Sequence, residues 1–167
     1  MPKTAKQARP KKRRTQPALS EQDFRAYLLH QAARIAPEDV ESLVAREQEA
    51  LKKSDHDWNG RERPQRQLEL AIALLKDHVA HHSPQIPYYT VALLAAAVLY
   101  FLDPFDAVPD WIQGSGTSDD AIVLELACEL GAAGIQRYCT SKGLATKSFL
   151  GAPVRSHQAR ATTRRSR

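Results

Sequence analysis

The chain of 167 residues lacks most of the features that announce a known chemistry. It has only two cysteines, Cys128 and Cys139, so no disulfide framework holds it together. On one helix they would stand about 16 Å apart, too far to bridge, and they read as small core residues in a reducing compartment. There is no G-x-S-x-G turn, and neither cysteine has an activating neighbour. Gly114 and Gly116 are not followed by Lys-Ser/Thr, so they form no phosphate loop. Enzyme is therefore the minority reading. No sustained period-two alternation marks a strand, and no internal repeat is visible.

Long apolar runs are also missing. The strongest, Tyr88 to Leu102, would make a helix about 22 Å long, against about 30 Å of bilayer hydrocarbon. The segment after it carries Glu125, Glu129 and Arg137, which are costly inside a membrane. A buried helix of a cytoplasmic protein is the expectation, with a membrane-associated hairpin as the alternative. No apolar h-region follows the basic N-terminus, so no secretory signal is expected.

Acidic residues are absent from both ends. Residues 1 to 19 hold seven cations and the stretch from Arg137 onward holds eight, neither with a carboxylate. All nineteen carboxylates lie between Glu21 and Glu129 beside the other nine cations. The middle balances to −10 and the ends to +15. The ends are poor in apolar residues and are expected to be disordered when free. Lys11, Lys12, Arg13, Arg14, Arg164 and Arg165 are the candidate contacts to a polyanion, either non-specific nucleic acid or an anionic membrane surface. A solubilising tail, or an arm lying over its own acidic body, is the bland alternative. No aromatic residues are interleaved for base stacking.

What is present reads as helix throughout the body. Ser20 and Asp23 form a capping-box pattern ahead of Phe24, Tyr27, Leu28, Gln31 and Ile35. Pro37 opens a second helix with Val40, Leu43, Val44 and Leu51 as its stripe. Residues 54 to 63 read as a polar linker broken at Gly60. A third helix starts near Pro64 with Leu68, Ala71, Ile72, Leu75 and Val79 inward, and the fourth runs from Tyr88 to Leu102. A fifth, from about Ser118 to Tyr138, turns Ile122, Val123, Leu126, Ala127, Leu130 and Ala133 inward. The fold class is all-α: a small helical bundle centred on an antiparallel hairpin joined by an Asp/Pro-rich loop. The organisation expected is a basic arm over 1–19, accessory helices and linker over 20–63, the hairpin domain over 64–140, and a basic tail over 141–167.

That loop holds Asp103, Asp106, Asp110, Asp119 and Asp120. Caps account for three of them: Asp103 before Pro104, Asp106 three residues on, and Asp120 paired with Thr117. Asp110 and Asp119 are left over. Two such charges about 5 Å apart repel by about 3 kcal/mol at an effective dielectric near 20. An ionised cluster would seek a cation, an Arg or Lys partner, or a proton. Asp106, Asp110, Asp119 and Asp120 are the candidate metal ligands, suited to Mg²⁺ or Ca²⁺, with no cofactor otherwise assigned. Trp111 and Ile112 are the candidate contacts to a protein partner. His78 and His82, one turn apart, offer a weaker zinc reading, and Asp55-His56-Asp57 reads as solvated linker.

Tyr100, Pro104, Asp106, Pro109 and Asp110, followed by Gly116, Asp119 and Asp120, resemble the Y-x-x-x-P-x-D-x-x-P-D and G-x-x-D-D signature of the YkvA-like family, bacterial domain of unknown function 1232. The likeness covers roughly residues 65 to 140. Asp103 stands where the family often has Ser, an exchange an N-cap tolerates. Ser115 and Thr117 stand where the loop is often more apolar. The resemblance implies a small helical domain, membrane association in some members, and no established activity.

Overall fold

A computed structural model describes residues 20–58, 60–81, 86–103 and 117–150. Seven α-helices and one 3-10 turn make up these described residues: α1 (Glu21–Ala32), α2 (Pro37–Ala45), α3 (Glu47–Asp57), α4 (Glu62–Val79), α5 (Tyr88–Leu102), α6 (Thr117–Leu130), α7 (Ala132–Lys142) and the turn Thr146–Ser148. The fold is all-α, as the periodicity requires.

Helix starts follow the capping chemistry. The Asp23 carboxylate accepts from the Ser20 N–H at 2.8 Å, and Ser20 Oγ accepts from the Asp23 N–H at 3.3 Å, closing the capping box. Asp39 accepts from the Ala36 N–H at 2.8 Å, with Pro37 in the first turn. At the other end of the bundle of caps, α7 stops at Gly143, whose φ of +68° is open to glycine. The Leu144 N–H then donates to the Cys139 carbonyl at 2.8 Å.

Helix α5 sits at the centre. Every residue from Thr90 to Val98 is buried, because α1, α2, α3, α4 and α6 all pack against it. An apolar surface on all sides of a helix demands this kind of enclosure. Its most extensive partner is α6, and the residues connecting the two lie outside those described. Near the start of α5, Thr90 lies against Gly131 and Gly134, where an added Cβ at 134 would stand 2.3 Å from Thr90 Oγ1. The glycines let the helices meet at that end.

Five sequence expectations are corrected. The second helix breaks at Arg46, whose φ of −93° and ψ of 13° turn α2 into α3. No Gly or Pro marks this corner. Residues 54–57 are not linker: they finish α3, with Ser54 and the following Trp58 both fully buried. Trp58 stacks on Phe101 at 4.5 Å between ring centroids, a contact no local pattern forecasts. The fifth helix is two, α6 and α7, divided at Gly131. Ile122 and Ala133 face outward rather than inward, while Leu124 and Ile135 are core. Ile35 lies beyond the end of α1, packed in the turn that follows it.

The chain continues to pack beyond α7. Gln67, buried on α4, donates to the Phe149 carbonyl at 2.8 Å, and Phe149 and Leu150 lie against the core. Asp77 on α4 takes the Tyr138 hydroxyl at 2.8 Å and Lys142 at 2.7 Å, fastening α7. Cys128 and Cys139 are both free and buried, as expected of small core residues, and burial pushes the Cys128 thiol up to about 12.

Candidate functional site at the end of the central helix

The C-terminal end of α5 exposes carbonyl groups and the negative pole of the helix. Two cations from the α2–α3 arm close it. Lys53 donates to the Phe101 carbonyl and places its ammonium 4.4 Å from the centre of the Phe101 ring. Arg46 grips Asp103, the residue that ends α5, with two nitrogens, one of them 3.1 Å from Oδ1. The same guanidinium reaches Glu49 through Nε at 2.8 Å and through a terminal nitrogen at 2.9 Å. Arg46 thus sits between two carboxylates, and the geometry is the fork that guanidinium groups favour. The Arg46 pair holds the Asp103 carboxyl below the usual carboxylate range, against a smaller opposing push from burial.

Facing this clamp are the first residues of α6. Asp119 and Asp120 lie in its first turn, favourable to the helix dipole, and both are half-buried. Burial pushes the Asp120 carboxyl up to about 6; Lys53 opposes the shift, while Asp57 and Asp119 add to it. Tyr100 feels the same carboxylates: burial raises its hydroxyl first, then Asp120 and Asp119. Its ring meets Tyr27 of α1 edge-on at 5.6 Å. The Tyr27 hydroxyl is buried, has no hydrogen-bond partner, and is pushed up to about 12 by desolvation.

Of the candidate metal ligands, Asp119 and Asp120 come together here, and Asp106 and Asp110 lie outside the described residues. So do Trp111, Ile112, Lys11, Lys12, Arg13, Arg14, Arg164 and Arg165. Among the described residues no group of three or more His, Cys, Asp or Glu is placed to hold a metal ion. His78 lies 5.9 Å from the Tyr88 ring, and His82 is outside the described residues. His56 ends in the last turn of α3, exposed and paired with Asp57 at 2.8 Å.

Asp103 reads as a cap for a helix start at Pro104, which lies outside the described residues. Its side chain has the cationic partner that an ionised aspartate cluster calls for. Sequence reasoning missed Arg46, Lys53 and Trp58. The available signal was spacing: Arg46, Glu49 and Lys53 recur at i, i+3 and i+7, which places them on one helical face.

This is a small all-α protein whose central helix ends in a clamped, carboxylate-rich corner. Residues 90–126 match the family described as Protein of unknown function (DUF1232). A Bacillus subtilis (strain 168) protein named Uncharacterized membrane protein YkvA is 43% identical over 53 residues, 32% of this chain and 50% of that protein. The match spans about half the length of that curated relative. This segment thus carries the chain's similarity to the YkvA-like DUF1232 family. No solved structure matches it. The matched segment holds most of α5 and the first ten residues of α6, whereas Arg46, Lys53 and Trp58, which brace them, lie outside it. Among the described residues no helix is long and apolar enough to cross a membrane.

Proposed function

We propose that this chain is a non-enzymatic helical interaction module, held at an anionic membrane surface by its basic ends and presenting the carboxylate-rich corner for docking. The observation that carries the reading is the division of charge. Fifteen of the twenty-four Lys and Arg residues flank a middle that contains every carboxylate. Each cation near an anionic bilayer contributes about 1 kcal/mol, so one arm of seven suffices for reversible attachment. The enclosure of α5 supports a surface rather than an inserted state, since its apolar faces are already spent on the other helices. The relative's name, a membrane protein, favours lipid over nucleic acid as the polyanion.

Sedimentation of the full chain with phospholipid vesicles tests this. Anionic vesicles should carry it down at low salt and release it at high salt, and zwitterionic vesicles should not bind it. Replacing Lys11, Lys12, Arg13 and Arg14 with Ser should weaken attachment at least tenfold. Salt-resistant partition into zwitterionic vesicles would mean insertion of α5 and α6 instead. Binding to duplex DNA alone, with a log–log salt slope near −6 for seven contacts, would make nucleic acid the polyanion.

A second reading has one specific support. Asp119 and Asp120 stand side by side in the first turn of α6, and with Asp106 and Asp110 they would supply oxygen ligands to a divalent cation such as Mg²⁺ or Ca²⁺.

A further inference from the structure

The start of α1 and the outer face of α6 enclose a groove of about 350 Å³. Phe24, Ile122 and Leu126 give it apolar walls, and Glu21, Glu125 and Glu129 give it acidic ones. Ile122 is 38% exposed, an uncovered aliphatic side chain in the middle of an otherwise well-buried helix. We propose that this groove is the docking site of the chain's own basic segment, residues 9–19, and that the segment exchanges between the groove and an external polyanion.

Three observations select that occupant. The groove begins at the residue where the segment joins the body: Glu21 lines it and Ser20 is the N-cap of α1. From Ser20, eight extended residues reach at most about 29 Å, enough to bring Lys12 past the two glutamates, which are one helical turn apart. The charges also match, since the segment carries Arg9, Lys11, Lys12, Arg13 and Arg14 and no acid.

The resident arginines leave room for it. Arg25 stands 3.9 Å from Glu21 and 3.8 Å from Glu129, outside hydrogen-bond range of either. Arg63 bonds Glu125 at 2.6 Å, but both side chains are nearly half exposed. Exposed pairs of this kind are weak and exchange readily. A carboxylate has about four acceptor positions, so one arginine does not saturate it. The consequence deepens the membrane-tether reading and rests on it: a docked arm is an arm withheld from lipid, so attachment is set by competition.

Zero-length carbodiimide cross-linking of the dilute full chain tests the docking without any polyanion. Lys11 and Lys12 should join Glu125 and Glu129 within one chain, ahead of the other carboxylates. Glu21 is too near in sequence to count. Arg13→Ser with Arg14→Ser keeps every reacting group and leaves the core untouched; it should cut the yield about fivefold. Cross-links spread evenly over the carboxylates, cross-links between chains, or none to α6 would each overturn the docking. Failure of the tether reading would show separately, as no vesicle binding with the α6 cross-links intact. If both hold, Glu125→Gln with Glu129→Gln should tighten vesicle binding severalfold.

Discussion

Arg46 and Asp103 are joined across 57 residues of sequence by two hydrogen bonds from one guanidinium, so the corner between α2 and α3 is tied to the residue that ends α5. Both side chains are about one-third exposed, so the pair is neither dry nor freely solvated. A charge-assisted pair in that setting contributes about 1–2 kcal/mol. Asp103→Asn should lower the melting temperature by roughly 4–8 °C at neutral pH. The sign with pH follows from the depressed folded pKa. The benefit is full above the unfolded value near 4 and is lost as pH falls through the lower folded value. Wild type and Asp103→Asn should therefore converge in strong acid, measured by melting across pH 2 to 7. Equal melting at pH 7 would show that the pair adds nothing.

Trp58 is fully buried and stacked on Phe101, whose carbonyl and ring are also held by Lys53. Deleting an indole from such a place costs about 3–5 kcal/mol, through lost burial and the cavity left behind. Trp58→Ala should lower the urea midpoint sharply, while Trp58→Phe recovers at least half of the loss. A Trp58→Ala chain as stable as wild type would return residues 54–63 to the status of a linker.

Gly134 has no room for a methyl group: its Cβ would meet Thr90 Oγ1 at 2.3 Å and Thr90 Cβ at 2.8 Å. Gly134 lies inside α7, so alanine gains about 1 kcal/mol of helix propensity and overpacking costs about 1–3 kcal/mol. Gly134→Ala should be destabilising by about 1 kcal/mol net. Thr90→Ala should recover part of that loss in the double variant, a coupling that a thermodynamic cycle of four melts would measure. Additive effects would mean that the two helices simply part.

Helix existence was legible because burial writes a 3.6-residue period into α1 and α4, because α5 is an unbroken apolar run, and because Ser20 and Pro37 carry local capping chemistry. The corner at Arg46 was not legible, since no residue there disfavours a helix and packing alone bends the chain. Trp58 stood among Ser54, Asp55, His56, Asp57, Asn59 and Gly60, a composition that reads as solvent. Its burial depends on Phe101, 43 positions away. Within the candidate site the aspartates were conspicuous by density, whereas Arg46 and Lys53 looked like any surface cations of a charged helix. Their roles come from which element they face, and spacing fixes only the face they share.

Asp120 offers the sharpest pH test, because its carboxyl is displaced upward while Asp103 is displaced downward. Unfolded, Asp120 loses its proton near pH 4; folded, it holds it to about 6. As pH rises between those values the unfolded state is favoured, and above the folded value the penalty is constant. Two units would set a ceiling near 3 kcal/mol, but partial exposure reduces this to about 1 kcal/mol. Asp120→Asn should consequently be more stable than wild type by about 1 kcal/mol at pH 7.5 in EDTA, and no different at pH 4. A divalent cation held at this corner reverses the order. At one hundred times its dissociation constant it would add about 2.7 kcal/mol to wild type and nothing to the variant. Melting both chains at pH 7.5, in EDTA and then in Mg²⁺ or Ca²⁺, separates the two. A variant less stable than wild type in EDTA would leave Asp120 as a helix cap whose acceptor outweighs its buried charge.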